Sequence, residues 1–77
     1  MKSYKQAIDC YDRSIELDPK DSILYCNKGM VLANLKEYKQ ALECLNKAIE
    51  INSNYYIAYK ERGKNNQVFT GHYNFLP

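Results

Sequence analysis

The residues of this chain that could do chemistry are three cysteines, one histidine, and a basic segment rich in tyrosine. Nucleophilic catalysis by a thiol needs a base within hydrogen-bond reach and a third group to orient that base. Cys10, Cys26 and Cys44 show no such grouping with His72, which lies far along the chain. A glycine-rich phosphate loop is also missing from the sequence, so no enzyme activity and no cofactor are expected. Zinc sites use closely spaced cysteine and histidine ligands, and the sequence has no C-x-x-C pair; no metal is expected. An odd number of cysteines is a poor disulfide framework. Cys10 and Cys44 recur at equivalent places on successive helices, and packed helices stand about 8–10 Å apart. Bridged α-carbons are seldom more than about 7 Å apart. The three thiols are therefore expected to be reduced, as in the cytoplasm.

Lys60, Arg62 and Lys64 lie beside Tyr55, Tyr56 and Tyr59. Cations interleaved with aromatic rings can hold single-stranded nucleic acid through phosphate contact and stacking. The net charge of +2 is too small to favour such a partner, and helical spacing puts Arg62 off the side shared by Lys60 and Lys64. A solvated helix carrying a packed Tyr59 is the expected state, with no nucleic-acid partner. No apolar run approaches a membrane span. No basic region followed by an apolar core opens the chain, so neither a membrane partner nor a secretory signal is expected.

Helices must position whatever site exists. Tyr4, Ala7, Ile8, Tyr11 and Ile15 recur at spacings of three and four, which predicts a helix over 3–18. Ser3 with Gln6 forms a capping box at its start, and Asp18 before Pro19 ends it. Asp21 is placed to cap a second helix over 21–34. A third helix, 37–51, buries Tyr38, Ala41, Leu42, Leu45, Ala48 and Ile49. Between these two, Asn34 is the residue expected to take a left-handed conformation. Asn52, Ser53 and Asn54 make a turn, and a fourth helix spans 55–68. Residues 65–77 carry no formal charge with His72 neutral and read as a separate tail.

The chain also repeats itself. Shifted by about 34 residues, Tyr4 falls on Tyr38, Ala7 on Ala41, Cys10 on Cys44, Tyr25 on Tyr59 and Gly29 on Gly63. Tyr25, Gly29, Leu32, Tyr38, Ala41, Leu45 and Ala48 alternate aromatic, small and large residues. In this pattern the sequence resembles the tetratricopeptide repeat family. The resemblance implies an all-α array of antiparallel helix-turn-helix repeats, a fragment of an α-solenoid covering 1–64. It implies a second helix B over 3–18 ended by Pro19, a full repeat over 21–52, and the helix A of a next repeat over 55–68. Tyr4, Ala7, Tyr11, Tyr59 and Gly63 become structural repeat positions. Gly29, with Ala41 and Ala48, would let helices A and B approach closely.

The same resemblance implies a protein–protein interaction scaffold whose A helices line a concave groove. Its register assigns Ile23, Cys26, Asn27, Met30, Ala33 and Asn34 to the groove from the first helix A, and Ile57, Lys60, Glu61, Lys64 and Gln67 from the second. Cys26 would then be an exposed, small groove residue. Lys60 and Lys64 would favour a peptide with at least one acidic residue. The alternative is a spacer or cap of a longer array with no ligand of its own. A weaker alternative is a co-chaperone module gripping the acidic tails of heat-shock chaperones by a carboxylate clamp. Asn27 matches the middle asparagine of that clamp, but Ile57 and Glu61 stand where a lysine and an arginine belong. Neither end shows a polar cap of the kind that terminal repeats usually carry. Two ways to cover the ends are weak self-association by end-to-end stacking and a fold-back of Phe69, Tyr73, Phe75 and Leu76.

Overall fold

The computed structural model describes residues 3–70, with side chains described through residue 67. Among them the chain is all-α: α1 (Tyr4–Leu17), α2 (Ser22–Asn34), α3 (Tyr38–Ile51) and α4 (Tyr56–Thr70). Each helix packs on the next, and α2 also touches α4. The stack measures 44 × 31 × 17 Å, a slab rather than a ball. The charge-free stretch from Asn65 begins inside α4, which runs six residues into it, ending at Thr70. His72, Tyr73, Phe75 and Leu76 lie outside the described residues, as does the side chain of Phe69.

Side-chain caps start α1 and α2. The Ser3 hydroxyl accepts from the Gln6 backbone N–H at 3.3 Å. Asp21 Oδ1 accepts from the Ile23 N–H at 2.9 Å. Caps of this kind stabilise a helix by about 1 kcal/mol each. After α3, Asn52 Oδ1 accepts from the Asn54 N–H at 3.1 Å, closing a side-chain turn without proline. The Tyr59 hydroxyl donates to the Ser53 carbonyl at 3.0 Å and ties that turn to α4.

The α2–α3 turn differs from expectation. Asn34 stays helical, and Lys36 takes the left-handed conformation with φ 66°. Leu35 is the C-cap. Lys36 N–H then donates to Ala33 O at 2.9 Å, and Glu37 N–H to Leu32 O at 2.9 Å. That pair of bonds is the Schellman motif, which puts the left-handed residue one place beyond the cap. Hydrogen-bond geometry thus selected the position, and the asparagine two residues earlier could not serve it.

The core lies between α2, α3 and α4. Cys26, Ala41, Leu45, Ala48 and Ala58 are fully buried and Leu32 nearly so. Tyr25, Met30, Ile49 and Tyr55 pack around it. Gly29 marks the closest approach. A Cβ built there would sit 3.0 Å from Leu45 Cγ and 3.1 Å from the Ala41 carbonyl oxygen. Gly63, one repeat later, has no described atom within 4 Å of the same point. The end helices are correspondingly bare: α1 has no buried residue, Tyr4 is 44% exposed and Tyr59 is 40% exposed. Tyr59 is therefore not the packed core residue expected from its repeat position, because no described helix B lies against it.

Polar contacts repeat with the fold. Lys28 Nζ meets Asp12 Oδ1 at 2.6 Å, joining α1 to α2. One repeat on, Arg62 donates to Asn46 Oδ1 at 3.0 Å, joining α3 to α4. Arg62 also lies over the Tyr59 ring, 5.3 Å from its centroid.

Two glycines at equivalent positions should respond with opposite signs. Gly29→Leu overpacks the crossing and should cost roughly 1–3 kcal/mol. Gly63→Ala meets no described atom and should gain up to about 1 kcal/mol from helix propensity. Thermal melts of both variants at low protein concentration check this, and equal midpoints would remove Gly29 from the crossing. Lys36→Gly relieves a left-handed side chain and should raise stability by about 1 kcal/mol, read in the same melts.

Candidate peptide groove

Helices α2 and α4 are both first helices of a repeat and lie on the same side of α3. Between them is a cleft of about 290 Å³ lined by Met30, Ala33, Asn34, Tyr38, Glu61, Lys64 and Asn65. Five of the assigned groove residues, Met30, Ala33, Asn34, Glu61 and Lys64, therefore meet in one cavity. Asn27 is half-buried on α2. Ile23 and Ile57 are exposed, at 53% and 44%, and Lys60 and Gln67 are exposed without lining the cleft.

Cys26 departs from its assignment. It is fully buried and belongs to the core with Leu45, Ala48 and Ala58. The cause is α4: Tyr55 and Ala58 cover the α2 position that a groove reading leaves open. Its repeat equivalent, Lys60, is exposed because no described helix covers α4 in the same way. Ser22 and Tyr56 show the same contrast, 8% against 71% exposed. In the folded state the Cys26 thiol is therefore closed to solvent.

Tyr38 and Asn65 line the cleft without having been assigned to it. The repeat pattern predicts Tyr38 as a core residue, yet it begins α3 and lines the cleft. Asn65 was grouped with the uncharged tail. Its position four residues after Glu61 was the available signal, since i and i+4 share a helix face. Asn65 is 4% exposed, and its amide donates to the Glu61 carbonyl at 2.6 Å.

The electrostatics of the cleft are mixed. Lys64 Nζ lies 3.7 Å from Glu61 Oε1. The Lys64 side chain is 65% exposed and that of Glu61 only 15%, so the cation reaches outward while the carboxylate stays in the wall. Exposed pairs of this type contribute little to stability, and Lys64 is free to turn toward a ligand. Cleft apolar surface comes from Met30, Ala33 and the Tyr38 ring. Such a wall can seat an apolar side chain beside one charged or amide-bearing group.

Burial shifts several groups in one direction. The Cys26 thiol is pushed above its ordinary value of 9.0, mainly by burial; the Tyr55 hydroxyl opposes this and Glu61 adds to it. Burial likewise raises Cys44, opposed by the Lys28 charge. Tyr55 is raised above 10.0, again chiefly by burial. Lys28 is raised above 10.5, first by its hydrogen bond to Asp12. In each case the folded chain holds the proton more tightly than the unfolded chain. The associated stability is complete below the unfolded values and is lost as pH rises through the higher folded values. The melting temperature should therefore fall as pH rises above 9.0, the lowest of these ordinary values. A midpoint that climbs over that range would contradict the assignments. Thiol labelling near neutral pH should proceed first at exposed Cys10, then at half-buried Cys44, and at Cys26 only as the fold opens.

Comparison with known proteins agrees with this architecture. The tetratricopeptide repeat family matches at residues 22–55, and a second description of the same repeat matches at residues 1–21. The small glutamine-rich tetratricopeptide repeat-containing protein beta of Rattus norvegicus, Mus musculus and Homo sapiens is 41% identical over 34 residues. That alignment covers 44% of this chain and 11% of each relative, so the chain spans about a tenth of the curated relatives it matches. Among solved structures, the second TPR of Spaghetti (RPAP3), bound to the HSP90 peptide SRMEEVD, superposes with a TM-score of 0.83 at 31% identity. The superposition covers 92% of this chain and 65% of that one. With successive repeats matched across residues 1–55 and a solved repeat domain superposing on nearly all of its length, the chain belongs to the tetratricopeptide repeat family.

Proposed function

We propose that the chain is a peptide-binding scaffold, with the cleft between α2 and α4 as the seat of an extended partner segment. The carrying observation is that residues from two separate A helices, Met30 and Asn34 with Glu61 and Lys64, wall one cavity. A neighbouring fold that is bound to a peptide supports this reading. The three free thiols suit a reducing, cytoplasmic setting. Among the described residues, no helix is long and apolar enough to cross a membrane.

Charge narrows the ligand. Lys60 and Lys64 are exposed four residues apart on α4, and Asn27 is half-buried on α2. Two exposed cations and an amide favour a peptide with an acidic residue. Glu61 limits how many: a carboxylate set beside its wall position would be repelled. The chaperone-tail reading gains from the acidic SRMEEVD peptide of the solved neighbour. It is weakened here by exposed Ile57 and by Glu61, which occupy the places of two clamp cations. The favoured ligand carries one acidic group and an apolar side chain rather than a run of carboxylates.

Titration with SRMEEVD, and with a peptide carrying a single acidic residue next to a leucine, tests the reading. Affinity should be micromolar or weaker, because so short an array covers little of a ligand. It should fall with added salt. Lys60→Ala with Lys64→Ala should weaken the single-acid peptide about tenfold, or roughly 1.4 kcal/mol. Glu61→Arg should strengthen SRMEEVD selectively. Binding that ignores both changes would place the ligand elsewhere; no binding of either peptide would count against an acidic ligand.

A further inference from the structure

A second cavity, of about 460 Å³, is lined by Pro19, Lys20, Tyr25, Lys47 and Ile51. The peptide groove draws on the second half of α2 and the first residue of α3. This cavity draws on the first turn of α2 and the end of α3, so the two open at opposite ends of that hairpin. Its volume falls in the range of about 300–1,000 Å³ typical of ligand sites. All five lining residues lie between positions 19 and 51, inside the chain.

Two observations give this cavity a chemistry. The first is its charge. Pro19, Tyr25 and Ile51 supply apolar walls, and the charged lining residues are both lysines, Lys20 and Lys47, both exposed. Lys20 has no ion-pair partner among the described residues. Lys47 meets Glu50 at 3.4 Å, and that carboxylate side chain is 72% exposed. Such a pair contributes little and exchanges readily for a ligand anion. Asp18 and Asp21 flank Pro19 and Lys20 in sequence but do not line the cavity, and Asp21 is held at the α2 cap by the Ile23 N–H. The second observation is a hydroxyl. One repeat on, Tyr59 donates its hydroxyl to the Ser53 carbonyl at 3.0 Å. Tyr25 and Pro19 hold the equivalent positions, yet the Tyr25 hydroxyl has no hydrogen-bond partner among the described residues. The ring and the proline wall the cavity, and a donor is left for a ligand.

We propose that this cavity is a second binding site, for a phosphotyrosine side chain of a partner protein. A flat ring suits walls made of a proline, a tyrosine ring and an isoleucine, because aromatic rings stack. A phosphate carries about −1.5 to −2 charges at pH 7. That charge balances two lysines, whereas a carboxylate balances one. Its oxygens can also accept from the Tyr25 hydroxyl. Phosphoserine shares the charge but leaves the apolar walls uncovered; tyrosine shares the ring but leaves the cations unmatched. The site does not depend on the peptide groove.

Titration of the full chain with phenyl phosphate, followed by NMR of the backbone amides, tests the proposal. So small a probe should bind with roughly millimolar affinity and move the resonances of Lys20, Tyr25 and Ile51. An uncharged alanine peptide with one central phosphotyrosine should bind about tenfold more tightly than the same peptide carrying tyrosine or phosphoserine. Lys20→Gln with Lys47→Gln should weaken it about tenfold, and Tyr25→Phe severalfold. Tyr25→Phe breaks no described hydrogen bond, and melting temperatures confirm that each variant is folded. Lys60→Ala with Lys64→Ala should leave this binding unchanged, which separates the site from the groove. Perturbations centred on Asn34 and Glu61 overturn the proposal, as does equal binding of the tyrosine or phosphoserine peptide. Indifference to the Lys20 and Lys47 changes also overturns it, and so does the absence of binding by both probes.

Discussion

The contact between Gly29 and the Ala41–Leu45 turn of α3 holds the rest of the structure in place. A hydrogen atom where other residues have a Cβ lets the two backbones close to near van der Waals limits, with the Ala41 carbonyl only 3.1 Å from the virtual carbon. That approach fixes how α3 lies on α2. The position of α3 fixes where α4 lands, through Ala48 and Ala58. Only then do α2 and α4 come close enough to share a cleft. A widened crossing would move Met30 and Asn34 away from Glu61 and Lys64, so the site depends on a glycine that does not line it.

Much of this order was legible in the sequence because it is governed by local rules. Ser3 and Asp21 cap their helices through bonds that span two or three residues. Gly29 and Ala41 repeat the small-residue spacing that a close crossing needs. Lys36 was less legible. Its left-handed φ follows from which carbonyls of α2 remain unsatisfied, and composition favoured the nearby asparagine instead. Cys26 was illegible for another reason. A helical register assigns a face, but whether that face meets solvent depends on the next helix over. Asn65 was illegible because its lack of charge matches a tail, while its burial comes from its place on α4.

Burial differs between residues that the repeat makes equivalent, and this difference carries physical content. Tyr25 is half-buried where Tyr59 is 40% exposed; Gly29 is packed where Gly63 meets no described atom. In a one-dimensional array each unit contacts only its neighbours, so stability is a sum of unit and interface contributions. The central repeat has both neighbours and supplies nearly all of the buried core. Leu45 and Cys26 are its largest fully buried side chains. A core of that size leaves a small margin against chain entropy, which is why one overpacked methylene or one lost interface has a large effect here.

The polar contacts show how such an array tolerates change. The link between a second helix and the next first helix is an ion pair in one place, Lys28 with Asp12, and a hydrogen bond in the other, Arg62 with Asn46. Both are built from a long cationic side chain reaching back to a short acceptor on the preceding helix. The acceptor lost its charge between the two repeats, yet the geometry persisted, because a guanidinium can donate to an amide oxygen as readily as to a carboxylate. The second link also gains the Tyr59 ring beneath Arg62. The apolar crossing sets the distance between helices and the polar link sets their register. These are separate constraints, so the groove residues of α2 and α4 can diverge, as Asn27 and Glu61 have, without disturbing either.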